Sequence, residues 1–164
     1  MKPHIAINWI LIAMLLGFLA IRAHAQQYAF EVSAGADAAT APHTHGDFGL
    51  LICDAGYVNC SYSKVIAKGP STAGAPGTRF TYSFLQGYQR QIKSFGRLSL
   101  YGDASGGVAA SVSAVSGAMM AGGGLTYQYK PGVQVVVSGR VLVSPADGGV
   151  SPAVGIGIRF TPKQ

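Results

Sequence analysis

Charge is what this 164-residue chain has least of. Asp, Glu, Lys and Arg together make up 11% of it, against about a quarter in an ordinary soluble domain. A disordered acidic tail, a coiled coil and a charge-coated cytosolic enzyme are excluded on that count. Beyond residue 25 no apolar run reaches the ~18 residues that a spanning helix needs, so insertion of that part into a membrane would have to be by strands. No Lys/Arg cluster tracks a phosphate backbone, which leaves nucleic-acid binding unsupported. The 23 glycines lack the three-residue period of collagen. Beyond residue 25 there are only two histidines, His43 and His45, and two cysteines, Cys53 and Cys60.

What is present begins with a leader. Lys2 lies in a short polar start, Ile5 to Ile21 is an apolar run broken by Asn8, and Ala23-His24-Ala25 is a small-x-small cleavage site. This is the three-part pattern of a secretory signal, with cleavage expected between Ala25 and Gln26. Residues 26–164 then carry 10 Lys and Arg against 6 Asp and Glu, a net charge of +4. Export and an even cysteine count favour a Cys53–Cys60 disulfide.

Six segments past the leader alternate with period two, as a two-faced strand requires. Tyr28, Phe30, Val32, Ala34 and Ala36 oppose Glu31, Ser33, Gly35 and Asp37. Phe80, Tyr82 and Phe84 oppose Thr81, Ser83 and Gly87. Leu98 and Leu100 oppose Arg97, Ser99, Tyr101 and Asp103. The same pattern recurs at 119–129, at 133–143 (with Arg140 on the polar side) and at 153–160 (with Arg159). Short turns at Lys93–Gly96 and Lys130–Gly132 rotate with longer links, a mark of transmembrane barrels. The segment 38–78 reads as one external loop or as an extra hairpin, which gives six strands or eight.

The polar faces carry mostly Gly, Ala and Ser rather than the Lys, Glu and Thr of a solvated sandwich surface. Tiny residues suit the crowded interior of a narrow barrel. Glu31, Asp37 and Asp103 against Arg97, Arg140 and Arg159 are expected to be lumen charges, costly singly and tolerable as pairs. Aromatics near the segment ends fit interfacial girdles. The expected fold class is therefore all-β, an antiparallel up-and-down transmembrane β-barrel. Residues 1–25 are the signal peptide and 26–164 the barrel domain.

On these features the chain resembles the small outer-membrane β-barrels of Gram-negative bacteria, the superfamily of opacity-type proteins. The most specific element is the last segment, Val154-Gly155-Ile156-Gly157-Ile158-Arg159-Phe160, whose alternation and closing aromatic are similar to the signal read by the barrel-assembly machinery. In this chain Thr161 to Gln164 follow that aromatic. The resemblance implies about eight strands, outer-membrane lipid as surroundings, and no enzyme activity.

No Gly-x-Ser-x-Gly motif or paired Ser and His strand motif accompanies the many serines. His43, His45 and nearby Asp47 would make a weak metal ligand set, and they read as an exposed polar loop between Pro42 and Gly46. Gly122-Gly123-Gly124 lacks the Lys-Ser/Thr of a phosphate loop. The expectation is no catalysis, no cofactor and no metal, with a structural or adhesion-like role carried by external loops toward an unidentified surface ligand. The alternative is a secreted or periplasmic soluble β-sandwich or lipocalin-like binding protein, with its apolar faces turned inward.

Overall fold

The computed structural model describes residues 27–37, 43–54, 56–71, 80–111, 114–145 and 149–161. They form eight strands: β1 (Gln27–Asp37), β2 (His43–Cys53), β3 (Asn59–Ser71), β4 (Thr81–Phe95), β5 (Leu98–Ser111), β6 (Val115–Lys130), β7 (Val133–Ser144) and β8 (Gly149–Phe160). Each pairs antiparallel with the next, and β8 pairs with β1 to close the barrel. The leader and the Ala25–Gln26 junction lie outside the described residues.

Eight strands rather than six result because the 38–78 segment contributes β2 and β3, joined by a turn at 54–58. This hairpin begins at His43, so His43 and His45 are strand residues and not part of a loop. Asp54 organises the turn. Its carboxylate accepts the Val58 and Asn59 backbone N–H at 2.9 and 3.2 Å and the Asn59 side-chain amide at 2.8 Å. Directly above, register partners Cys53 and Cys60 are joined as a disulfide.

The register around the wall fixes the barrel's geometry. Starting at Phe30 and stepping across partners leads through Leu50, Ser63, Gln86, Gly106, Met119 and Val143 to Val150 on β8. Phe30 itself pairs with Phe160, ten residues farther along that strand. A stagger of ten over eight strands requires a tilt of about 41°.

Apolar side chains face out. On β1, Tyr28, Phe30 and Val32 are exposed while Ala29, Glu31, Ser33 and Asp37 are buried. The same phase holds on β8, where Val154 is 67% and Ile156 61% exposed and Arg159 is 4% exposed. A soluble lipocalin-like arrangement needs the opposite orientation, so that alternative is overturned. Among the described residues no helix is long and apolar enough to cross a membrane; this wall would cross with strands. From the tilt, the belt between Tyr28 or Tyr127 at one end and Tyr82 at the other is about 25 Å tall, the height of an outer-membrane apolar band.

The small radius explains the glycines. A Cβ at Gly107 would stand 1.9 Å from the Phe84 carbonyl oxygen, and one at Gly35 2.1 Å from that of Val154. Inward-facing positions on adjacent strands converge, and only hydrogen fits there.

The two ends differ. At the terminus end, where β1 starts and β8 stops, Gly96–Arg97 and Pro131–Gly132 are two-residue turns, with Gly96 and Gly132 at φ +62° and +82°. Only glycine takes such angles without strain. At the far end β1, β3, β5 and β7 stop and β2, β4, β6 and β8 begin, with 5, 9, 3 and 4 residues between them in sequence.

Candidate functional site

The barrel encloses two charge networks stacked along its axis. Nearer the termini, Arg159 donates Nε and Nη2 to Glu31 Oε2 at 3.0 and 2.6 Å, and Nη2 to Gln89 Oε1 at 2.9 Å. Lys64 Nζ donates to Glu31 Oε1 at 3.2 Å. The Arg159 guanidinium lies over the Tyr101 ring, 5.6 Å from its centroid. Across the lumen the Tyr62 hydroxyl donates to Asp103 Oδ2 at 2.9 Å.

Toward the far end Arg140 grips Asp47 through both guanidinium nitrogens, with Nη2–Oδ1 at 2.9 Å and Nη1 on Oδ2. The Ser33 hydroxyl donates to the same carboxylate at 2.9 Å. Lys68 pairs with Asp37 at 3.1 Å, and Asp37 also accepts the His43 backbone N–H at 2.6 Å. Beside the networks Tyr62, Ile66, Leu85, Met120 and Leu142 pack into an apolar plug.

Of the lumen charges expected from sequence, Glu31, Asp37, Arg140 and Arg159 are buried inside, and Asp103 faces Tyr62. Arg97 is not a lumen charge. It is exposed in the β4–β5 turn, one residue before β5 begins, where no strand continues the inward phase. Sequence reasoning missed Asp47, Lys64 and Lys68. Their period-two spacing from His45 and Tyr62 would have found them, had 43–71 been read as strands.

A cavity of about 10 Å³ at the terminus mouth, lined by Gln89, Tyr101, Thr126 and Gln134, has room for about one water. Neither ring nitrogen of buried His45 has a hydrogen-bond partner, so no serine is paired with it. Among the described residues no three His, Cys, Asp or Glu side chains converge as metal ligands.

At the terminus turn, desolvation pushes the Asp54 pKa up, but the three hydrogen bonds from Asn59 and Val58 together outweigh it and hold the carboxyl below the usual carboxylate range.

No family model matches the chain, and no curated protein matches it in sequence. Solved structures do. Neisserial surface protein A superposes with a TM-score of 0.70 at 9% identity, over 87% of this chain and all of that one. A major outer membrane protein of Thermus thermophilus gives 0.56 at 10% identity, over 85% and 100%. Ail, the attachment invasion locus protein of Yersinia pestis, gives 0.50 at 14%, over 84% and 97%. With its closed eight-stranded wall, outward apolar belt and filled polar lumen, the chain has the fold of the small outer-membrane β-barrels.

Proposed function

We propose that this chain is an outer-membrane protein, exported through the 1–25 leader and cut between Ala25 and Gln26. It is inserted by the barrel-assembly machinery and serves a structural or surface-interaction role without catalysis. The observation that carries the membrane reading is the outward belt: Met119 at 72%, Val154 at 67% and Ile156 at 61% exposure are intolerable in water as part of one continuous band. The ion-paired lumen supports a rigid, non-conducting body. Two-residue turns at two of the three connections of the terminus end, against links of up to nine residues at the other, support a periplasmic placement of the terminus end, with the far end at the cell surface.

Any surface interaction runs through the links 38–42, 72–80, 112–114 and 145–148. Their sequences hold only Arg79 and Asp147 as charges. Ail has been crystallised with a heparin analogue, sucrose octasulfate; a far end this poor in cations favours an uncharged or apolar partner over a polyanion. Expression of the full chain in a Gram-negative host, followed by outer-membrane isolation and SDS gels of boiled and unboiled samples, tests the placement. A membrane band whose mobility shifts on boiling is expected, because a closed barrel has no free strand edge. A soluble periplasmic band without a shift would refute the placement.

A further inference from the structure

The lumen is electrically balanced: Lys64, Lys68, Arg140 and Arg159 stand against Glu31, Asp37, Asp47 and Asp103. Among the described residues the cations outside the lumen lie on one side. Arg90, Lys93, Arg97 and Lys130 are all exposed, all at the terminus end, and all on the β4–β6 side of the wall. None has a carboxylate within ion-pair distance among the described residues. The exposed carboxylate at that end, Asp54, is taken up by its own turn.

The cations sit in an interfacial setting. Exposed Phe95, Tyr127 and Tyr129 surround them, and Lys93 Nζ lies 5.0 Å from the Phe95 ring centroid. Immediately toward the membrane β5 and β6 carry small residues on their outer face, edged on the β4 side by exposed Ile92, whose Cδ1 lies 3.4 Å from where a Gly102 Cβ would stand, and by Tyr88. Arg90 is the register partner of Gly102, which pairs in turn with Gly123. Above them on the same lipid-facing side Ala104 pairs with Ala121, and Gly106 follows. These five residues form a shallow trough that starts beside Arg90 and rises into the belt, bordered by Leu100, Leu125 and Met119.

We propose that this face binds an anionic phospholipid. Its phosphate sits beside Arg90 and Lys93 at the head of the trough, Arg97 and Lys130 extend the positive field farther toward the terminus end, and one acyl chain lies in the Gly102–Gly106 trough. Cations alone would suit any polyanion. Cations at the head of a smooth apolar trough suit an amphiphile with a charged head and a straight tail. The proposal rests on the membrane-barrel reading above and adds the class of lipid, the leaflet and the residues.

The test uses the barrel refolded in a neutral detergent, with native mass spectrometry of bound lipid. Phosphatidylglycerol is compared with phosphatidylcholine of the same chains, and with glycerol phosphate as a head without a tail. Wild type is expected to retain phosphatidylglycerol at least roughly tenfold over both. The Arg90→Gln, Lys93→Gln, Arg97→Gln, Lys130→Gln variant is expected to lose the preference, and Ala104→Leu, which fills the trough from the lipid side, to weaken retention several-fold. Equal retention of the two lipids by wild type, or a preference that survives the four substitutions, overturns the proposal. Retention untouched by Ala104→Leu, or matched by glycerol phosphate, overturns the trough. The boiled and unboiled gel shift is run on every variant. A shift without lipid preference sinks the lipid site alone, and no shift in wild type sinks the barrel reading and this site with it.

Discussion

Replacing Arg140 with methionine removes both guanidinium bonds to Asp47 and leaves that carboxylate buried, 5% exposed, with only the Ser33 hydroxyl. Stranding one member of a buried ion pair costs about 3–5 kcal/mol, because the remaining charge keeps its desolvation penalty and loses its partner. With a urea slope of roughly 2 kcal/mol/M, the unfolding midpoint should fall by about 2 M. The one tryptophan, Trp9, lies within residues 1–25. Unfolding of the 26–164 chain in lipid vesicles is therefore followed by far-UV circular dichroism and by the unboiled gel band. The double variant Arg140→Met, Asp47→Leu exchanges the pair for apolar side chains and should recover to within about 1 kcal/mol of wild type. That pattern, a large single loss and a small double loss, is the signature of a dry pair. If Arg140→Met shifts the midpoint by less than about 0.5 M, or if the double variant loses as much as the two single losses added, water reaches Asp47 and the lumen is not the closed interior described above.

Three further outcomes follow from the same geometry. Lysine at Val137 or Ile156, register partners midway up the belt, should cost about 2–4 kcal/mol and abolish the heat-shifted band, whereas lysine at Val150, near the far rim, should cost under about 1 kcal/mol; equal tolerance at the three positions would refute the lipid-facing assignment. Changing Cys53 and Cys60 to serine removes a bridge across a seven-residue separation and should lower stability by about 2.5 kcal/mol through denatured-chain entropy, read as a reduced urea midpoint against the oxidised parent. Asp54, whose folded pKa lies below its ordinary value, contributes stability that is present above the ordinary carboxylate range and is lost as pH falls through its folded value. A carboxyl carbon titration by NMR should show that lowered midpoint in wild type and a partial rise toward the ordinary value in Asn59→Ala, which keeps the two backbone N–H bonds; an unshifted wild-type value would contradict the turn geometry.

Six strands were legible because most of their inward positions are polar or tiny and most of their outward positions apolar, so period two survives in hydropathy despite inward Leu85, Met120 and Leu142. β2 and β3 break that code in both directions. Leu51, Cys53 and Ile66 point inward, into the apolar plug and the disulfide, while Ser61, Ser63 and Gln86 of neighbouring β4 point outward. Hydropathy alone cannot assign a face where both faces are mixed. His43-Thr44-His45-Gly46-Asp47 does alternate, but Pro42 and Gly46 read as loop chemistry, and the strand signal was hidden by residues that a barrel tolerates and a sandwich would not. Arg97 shows the reverse error: its spacing continues the inward face of β5, yet Gly96 at φ +62° turns the chain one residue earlier. Periodicity gives phase but carries no information on where pairing starts.

The asymmetry between the ends bears most directly on function. Side chains that a barrel needs for itself are inside, where four cations and four carboxylates cancel and hold the wall from within. What is left over outside is free to serve contacts with surroundings, and it is unevenly spread. At the terminus end there are four unpaired cations beside aromatic rings; at the far end the described rim residues Thr81, Ser111, Ser144 and Val150 carry none. A protein built to hold a charged ligand at the surface would place its cations on the far links. In the orientation proposed above they would meet the periplasmic leaflet, so on that proposal the electrostatic contact runs to lipid and a surface partner would be held without exposed charge on the described rim. Moving the charge tests this division: Ser111→Lys with Ser144→Lys would supply the far rim with two cations. Binding of a sulfated polysaccharide, followed by its salt dependence, should appear in that variant and be absent in wild type. Equal binding by both would mean that the far end already holds polyanions by a route other than exposed charge on the described rim.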